Sequence, residues 1–197
     1  MSESDRREFA SPPCFMHEFE EEHLGSTSES APVEDVAQWR KAERERLITD
    51  RRSIPTETRR SFTEQITVGL DNALSEVSGQ ICSFYWPFWG EPDLRSLMER
   101  VYHRGGICAL PCVLKRNTPM IFRTWEPNAK MERGIWNIPV PARGTEVTPD
   151  IVIAPVVGFD RACYRLGYGG GYFDRTLAAM APRPRVFGVG FAQSEIV

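Results

Sequence analysis

Apolar side chains recur through Phe62, Ile66, Leu70, Leu74 and Val77, a spacing that lines one helical face and predicts a helix from Pro55 to about Val77. The stretch before it, Val33 to Arg52, is helix-forming but densely charged, and Val36, Trp39, Leu47 and Ile48 give only an incomplete apolar stripe. Short apolar runs then alternate with helical patterns. Gln80 to Trp86, Ile107 to Leu114, Met120 to Trp125, Ile151 to Pro155 and Arg185 to Phe191 read as strands. Glu91-Pro92-Asp93 is expected to open a helix, with Pro in the first turn and acids at the positive end of the dipole, that stops at Gly105-Gly106. Tyr172 to Met180 predicts a last helix, and Pro127 to Pro149 a Pro-rich connection. This alternation predicts an α/β layered domain with a largely parallel sheet and a ligand site at the carboxyl ends of its strands.

Composition narrows the class. A chain of 197 residues with 41% hydrophobic and 26% charged residues has the balance of one globular domain able to bury a core without disulfides or a structural metal. Residues 1–32 are expected to be a disordered acidic arm and residues 33–197 the folded domain. The first 30 residues hold eight acids and two arginines, so a net charge of −3 for the whole chain leaves the rest at +3. That mild basicity suits an anionic small molecule and is too weak to argue for nucleic acid. The longest apolar run, Ile151 to Phe159, is too short to span a bilayer, and Met1 to Glu22 has no signal-peptide pattern, so a cytoplasmic protein is expected. Five cysteines without framework spacing fit a reducing compartment, and Cys108 and Cys112, in an apolar stretch broken by Pro111, read as buried, inert strand thiols. Within the arm, Cys14, His17 and His23 read as part of a tail that binds no metal.

The segment Arg165-Leu166-Gly167-Tyr168-Gly169-Gly170-Gly171-Tyr172-Phe173-Asp174 carries the candidate chemistry. Four glycines in five residues let backbone N–H groups converge on one point, and the following helix adds its positive end, so the loop is built to cradle phosphate. Arg165 supplies a planar charged fork for phosphoryl oxygens, and Asp174 a carboxylate for a divalent cation. Tyr172 stands where the dinucleotide fingerprint needs its third glycine, and no Gly-Lys-Ser/Thr follows, so neither familiar phosphate motif applies. For an isolated glycine run a flexible turn is the competing reading; Arg165 before it, Asp174 after it and Gly158-Phe159-Asp160 leading in weigh against that.

Ala154-Pro155 through Gly158-Phe159-Asp160, followed by Arg165 to Arg175, resembles the signature of the 5-formyltetrahydrofolate cyclo-ligase family. The resemblance extends to the basic first helix, to Glu91 and Asp93 after an aromatic strand end, to Leu110-Pro111, to Trp136-Asn137-Ile138-Pro139 and to Gly188 through Gln193. It implies a layered α/β/α domain resembling the NagB/RpiA/CoA-transferase-like fold, and ATP-dependent closure of 5-formyltetrahydrofolate to 5,10-methenyltetrahydrofolate in one-carbon metabolism.

The same resemblance implies roles residue by residue. Arg40 and Arg44, four apart on one helix face, would meet the ATP phosphates. ATP would also be held by Arg165, Leu166, Gly167, Tyr168, Gly169, Gly170, Gly171, Tyr172 and Phe173, with Arg165 and Tyr172 the catalytic candidates. Trp86 and Glu91 would recognise the folate, helped by Tyr168, Gly169, Gly170, Gly171 and Tyr172, because a flat pterin suits an aromatic wall and a carboxylate. Asp174 would hold Mg2+. The expected partner is 5-formyltetrahydrofolate, with or without a polyglutamate tail, and the expected state a monomer engaging neither nucleic acid nor membrane. Family members continue past the position of Gln193 to a further aspartate that helps hold magnesium; this sequence stops at Val197, so a short C-terminus is expected, with Asp160 or water assisting Asp174. The alternatives are a folate- or nucleotide-binding relative without turnover, acting as a buffer or regulatory module, and an α/β enzyme of the same broad fold that handles another anion.

Overall fold

The structure, a computed structural model, describes residues 31–196. The predicted arm lies outside the described residues except for Ala31 and Pro32, which open the first helix. That helix, α1 (Ala31–Ser53), is followed by α2 (Thr56–Ala73), β1 (Ile81–Ser83), α3 (Arg95–His103), β2 (Ile107–Cys112), β3 (Ile121–Trp125), β4 (Met131–Arg133), β5 (Pro139–Pro141), β6 (Glu146–Val147), β7 (Ile151–Pro155), β8 (Gly158–Phe159), β9 (Arg165–Leu166), α4 (Tyr172–Ala179) and β10 (Arg185–Val189).

The apolar run Ile151–Pro155 is buried at every position, as a central strand covered on both faces requires. It pairs in parallel with β10 on one side and β1 on the other, and β1 pairs in parallel with β2. β3 and β6 then add antiparallel, giving the order β10-β7-β1-β2-β3-β6.

Alternation along the strands divides the core into two faces. Ile151, Ile153, Cys82, Phe84, Cys108 and Leu110 pack with Leu70, Leu74 and Val77 at the end of α2 and with Leu97, Met98 and Val101 of α3. Val152, Ala154, Ala109 and Phe122 face the other way, against Phe173, Leu177 and Met180 at α4. The result is the layered α/β/α arrangement expected, with a sheet that is parallel over its central strands.

α1 joins neither face. Its buried Leu47 packs with Val157 and Leu166 beside the β8–β9 hairpin, which projects beyond the carboxyl end of β7. The incomplete apolar stripe follows from this placement: the inward face carries Arg40, Arg44 and Arg51 around Leu47, at helical spacing.

Three local expectations are corrected. Glu91-Pro92-Asp93 does not open a helix: α3 begins at Arg95, whose backbone N–H donates to Asp93 Oδ1 at 3.1 Å, while Pro92 lies in the preceding loop and accepts from the Tyr85 hydroxyl at 2.8 Å. The strand expected over Gln80 to Trp86 is regular only over Ile81–Ser83, since beyond it the chain turns away into the site. The Pro-rich segment is not merely a connection: it holds a two-stranded ribbon, β4 with β5, and the edge strand β6, positions where a missing N–H is tolerated.

Truncation of a buried strand residue tests this core. Ile153→Ala, at a fully buried position, should lower the unfolding free energy measured in urea by about 2–5 kcal/mol. Val68→Ala, at a position 62% exposed, should change it by less than about 0.5 kcal/mol.

Candidate functional site

From β1 the chain runs to β2 on one side of the sheet, whereas β7 and then β10 lie on the other. Between the carboxyl ends of β1 and β7 the strand order therefore reverses, and such a reversal leaves a crevice in which ligands of open α/β sheets bind. Two loops meet there. One leaves β1 and spans residues 84–94; the other is the β8–β9 hairpin with the glycine run that follows it.

The first loop is pinned before it reaches the site. Phe84 is buried and its backbone N–H donates to Ala109 O at 3.0 Å, and the buried Tyr85 holds Pro92 O. Trp89 and Gly90 both take positive φ, 46° and 78°, and this turn brings Glu91 back beneath the chain. There its Oε2 accepts from the Phe88 N–H at 2.8 Å, and the residue is only 5% exposed.

The second loop is organised from its base. Asp160 Oδ1 accepts from the N–H groups of Ala162 and Tyr164, both at 2.9 Å, closing the hairpin tip. Leu166 is buried against Leu47 and Val157. Arg44 Nε donates to Gly167 O at 2.8 Å, and Arg175 donates to Gly170 O. Gly169 has φ +92°, and Gly171, which precedes α4, has φ +61°, conformations that side-chain-bearing residues rarely adopt. The two arginines thus hold carbonyls of the glycine run where it enters the amino-terminal end of α4. Beside them Arg165 makes an ion pair with Asp174 in the first turn of α4, and its guanidinium lies 5.6 Å from the Phe173 ring centre.

The two loops are joined through Tyr168. Its hydroxyl donates to Glu91 Oε1 at 2.5 Å and accepts from Arg51 Nη2 at 2.5 Å. Arg51, 3% exposed, also donates to Trp89 O at 3.1 Å and to Val156 O at 3.4 Å. Burial raises the Glu91 carboxyl above its ordinary value, against the lowering action of the Tyr168 hydroxyl, the Phe88 N–H and the Arg51 charge. Burial, reinforced by the Glu91 charge, raises Tyr168 as well, so its hydroxyl stays protonated as a donor.

The structure thus brings together Arg44, Arg165, the loop Gly167 to Tyr172, Asp174 and Glu91. Arg40 lies half-buried one turn before Arg44 on α1. The side chains of Leu166 and Phe173 are packed into apolar clusters, so toward a ligand these residues offer backbone. Trp86 is partly buried against the main core, with the Arg95 guanidinium 5.3 Å from its ring centre. Asp160 is committed to the hairpin turn.

Sequence reasoning assigned no role to Arg51, offered Trp89 only as an extension of the aromatic wall beside Trp86, and noted Trp136 only within the family segment Trp136 to Pro139. Trp89, 49% exposed, sets its ring edge-on to Tyr168 at 6.0 Å; Trp136, 52% exposed at φ 55°, stands edge-on to Tyr172 at 5.2 Å. The available signal for Arg51 was its place four residues after Leu47, on the stripe shared with Arg40 and Arg44. A separate concavity of about 420 Å³, lined by Tyr102, Ile107, Trp125 and Arg143 among others, opens at the amino end of β2 and shares none of these residues.

Buried thiols take no part. Burial, with the Asp150 charge, pushes Cys82 up to about 11, and burial pushes Cys108 up to about 12, which leaves both protonated and unreactive at neutral pH. His103 ends α3 on the surface. Among the described residues no group of three or more His, Cys, Asp and Glu is arranged to hold a metal ion.

A glycine-rich loop joined to a buried carboxylate at a sheet switch point is the arrangement in which α/β enzymes bind small molecules. Residues 36–195 match the 5-formyltetrahydrofolate cyclo-ligase family, and the chain belongs to that family. It is 28% identical over 153 residues to a 5-formyltetrahydrofolate cyclo-ligase of Mycolicibacterium smegmatis, covering 73% of this chain and 77% of that protein. To one from Escherichia coli it is 27% identical over 133 residues, covering 64% and 73%. The fold superposes on a 5,10-methenyltetrahydrofolate synthetase of Aquifex aeolicus with a TM-score of 0.68 at 25% identity, over 79% of each chain. It also superposes on a 5,10-methenyltetrahydrofolate synthetase of Mycoplasma pneumoniae with a TM-score of 0.66 at 20% identity, over 80% of this chain and 88% of that one.

The buried acid gives a pH test. Because its folded-state value is raised above the ordinary 4.5, folding favours the protonated form. That contribution is complete below the ordinary value and is lost as pH rises through the raised one. Melting temperatures of Glu91→Gln and the parent should therefore diverge in favour of the variant from about pH 4 toward neutrality; a pH-independent difference would show that Glu91 titrates as in the unfolded chain.

Proposed function

We infer that this protein catalyses the ATP-dependent cyclisation of 5-formyltetrahydrofolate to 5,10-methenyltetrahydrofolate, releasing ADP and phosphate. The observation that carries the reading is the convergence of the glycine loop and Glu91 at the β1/β7 switch point, in a chain that belongs to the cyclo-ligase family. A non-catalytic binding relative finds no support in the relatives' names.

The formyl oxygen is a poor leaving group, and phosphorylation makes it a good one. It attacks the γ-phosphorus as the bond to the β,γ-bridging oxygen breaks and ADP leaves. N10 then adds to the activated formyl carbon and gives up its proton, and the carbon–oxygen bond breaks with its electron pair leaving on phosphate. Such a reaction needs alignment and charge neutralisation rather than a protein nucleophile. The amides of Gly169 to Gly171, the Arg165 guanidinium, and Arg40 and Arg44 on α1 would meet the phosphates. Glu91 would accept from the pterin N–H groups, with Trp86 and Tyr172 as apolar surface.

Magnesium suits a site with a single protein carboxylate, because it takes its other ligands from phosphate oxygens and water. Asp174, 29% exposed at the side chain and beside the anion loop, fits that role, and when bound the ion would neutralise charge developing on the phosphates. The buried free thiols Cys82, Cys108 and Cys112 support a reducing, cytoplasmic setting, and no described helix is long and apolar enough to cross a membrane. The positive balance beyond residue 30 would suit a polyglutamate tail on the substrate.

The test is the absorbance rise of methenyltetrahydrofolate with purified protein, 5-formyltetrahydrofolate, ATP and magnesium. Arg165→Ala should reduce the rate about 10²-fold or more. Asp174→Asn should raise the magnesium concentration needed for half-maximal rate. Absence of product with the folded parent protein would overturn the assignment.

A further inference from the structure

The glycine loop reaches Glu91 through one phenolic hydroxyl. Tyr168 lies within the run whose amides would face phosphate, between Gly167, held by Arg44, and Gly169 at φ +92°. Its side chain leaves that loop and ends on Glu91 Oε1, in the other loop. Glu91 Oε2 is meanwhile fixed by the Phe88 N–H. Each carboxylate oxygen carries two lone pairs, so one protein donor on each leaves a matched pair of acceptor sites for a planar array of N–H groups. The hydroxyl sets the rotation of the carboxylate as well as helping to keep it charged despite burial.

Arg51 makes this connection stiff. Its guanidinium holds the hydroxyl, the Trp89 carbonyl of the Glu91 loop, and the Val156 carbonyl where β7 ends. It is buried, so these protein groups stand in for the water it has lost. A displacement of the glycine loop therefore moves the hydroxyl relative to both the acid and the arginine.

We propose that Tyr168, anchored by Arg51, couples the two substrate half-sites, so that nucleotide in the glycine loop raises the affinity of the Glu91 side for folate. The proposal rests on the cyclo-ligase reading of the site. Tyr168 acts here as a positioning residue: phosphate on the loop amides holds the segment around Tyr168, the held hydroxyl keeps the Glu91 carboxylate aimed, and the pterin meets a fixed acceptor pair. Because coupling free energies are reciprocal, bound folate must tighten nucleotide by the same factor. Tyr168→Phe removes only the hydroxyl and keeps the ring edge that faces Trp89.

The experiment is calorimetric titration of 5-formyltetrahydrofolate into parent protein and Tyr168→Phe, each with and without a saturating non-hydrolysable ATP analogue and magnesium. In the parent the analogue should tighten folate about five-fold or more. In Tyr168→Phe that ratio should fall to about one, with both ligands still bound separately. Arg51→Met, which keeps the length and apolar bulk of the side chain, should lose the same coupling and supplies the measurement if the first variant does not fold. A loss of folate affinity that leaves the ratio unchanged would mark Tyr168 as merely structural and overturn the proposal. So would a parent protein that binds both ligands with a ratio of one. A parent that binds folate under neither condition would instead overturn the cyclo-ligase assignment, and the coupling with it.

Discussion

The parallel pairing of β1 with β7, Cys82 opposite Ile151 and Ser83 opposite Val152, is the constraint on which the site depends. These strands are neighbours in space but lie 68 or more residues apart in sequence, and the chain leaves them toward opposite edges of the sheet. Everything functional hangs from their carboxyl ends. A one-residue slip would exchange Ile151 and Ile153 for Val152 on the face that packs against α3, and would rotate the two loops out of register. The buried packing on both faces sets that register, so the same apolar contacts that hold the core together also fix the distance between Glu91 and the glycine loop.

Electrostatics at this edge is organised by α1. A helix whose inward face carries three arginines gains little from apolar burial, and Leu47 is its only described buried apolar side chain. Arg44 is directed at a loop carbonyl and Arg51 at two carbonyls and a phenol, so the helix binds the site loops rather than the sheet. Burying a guanidinium is costly, and the cost is offset only because its partners are fixed in place before any ligand arrives. With the Gly167 and Gly170 carbonyls engaged by arginines, the loop is partly ordered toward the positioning that phosphoryl transfer needs, and a bound phosphate would complete it.

Much of this was legible in the residues. The α2 stripe, the buried run Ile151–Pro155 and the Arg165 to Asp174 segment carry local signals, because periodicity, β-branched content and glycine density act over a few residues. The layered fold follows from their alternation. What was not legible depends on contacts across the chain. Nothing in the neighbourhood of Glu91 announces a tyrosine 77 positions later, and Arg51 in a charged helix is indistinguishable by composition from a solvated arginine. Pro92 suggested a helix start because proline suits a first turn; the hydrogen bond from Tyr85 to its carbonyl keeps it in the loop instead. The ribbon β4–β5 escaped notice because prolines lower strand propensity, while short edge strands accept them.

Arg51, Tyr168 and Glu91 come from three separate segments, yet each satisfies a polar atom of another inside a largely buried cluster. Replacing any one alone strands a charge or a hydroxyl, and unpaired buried polar groups are what single substitutions tolerate least. The three positions therefore form one mutational unit: a lineage carrying this chain could reach another solution only through intermediates weaker than either end.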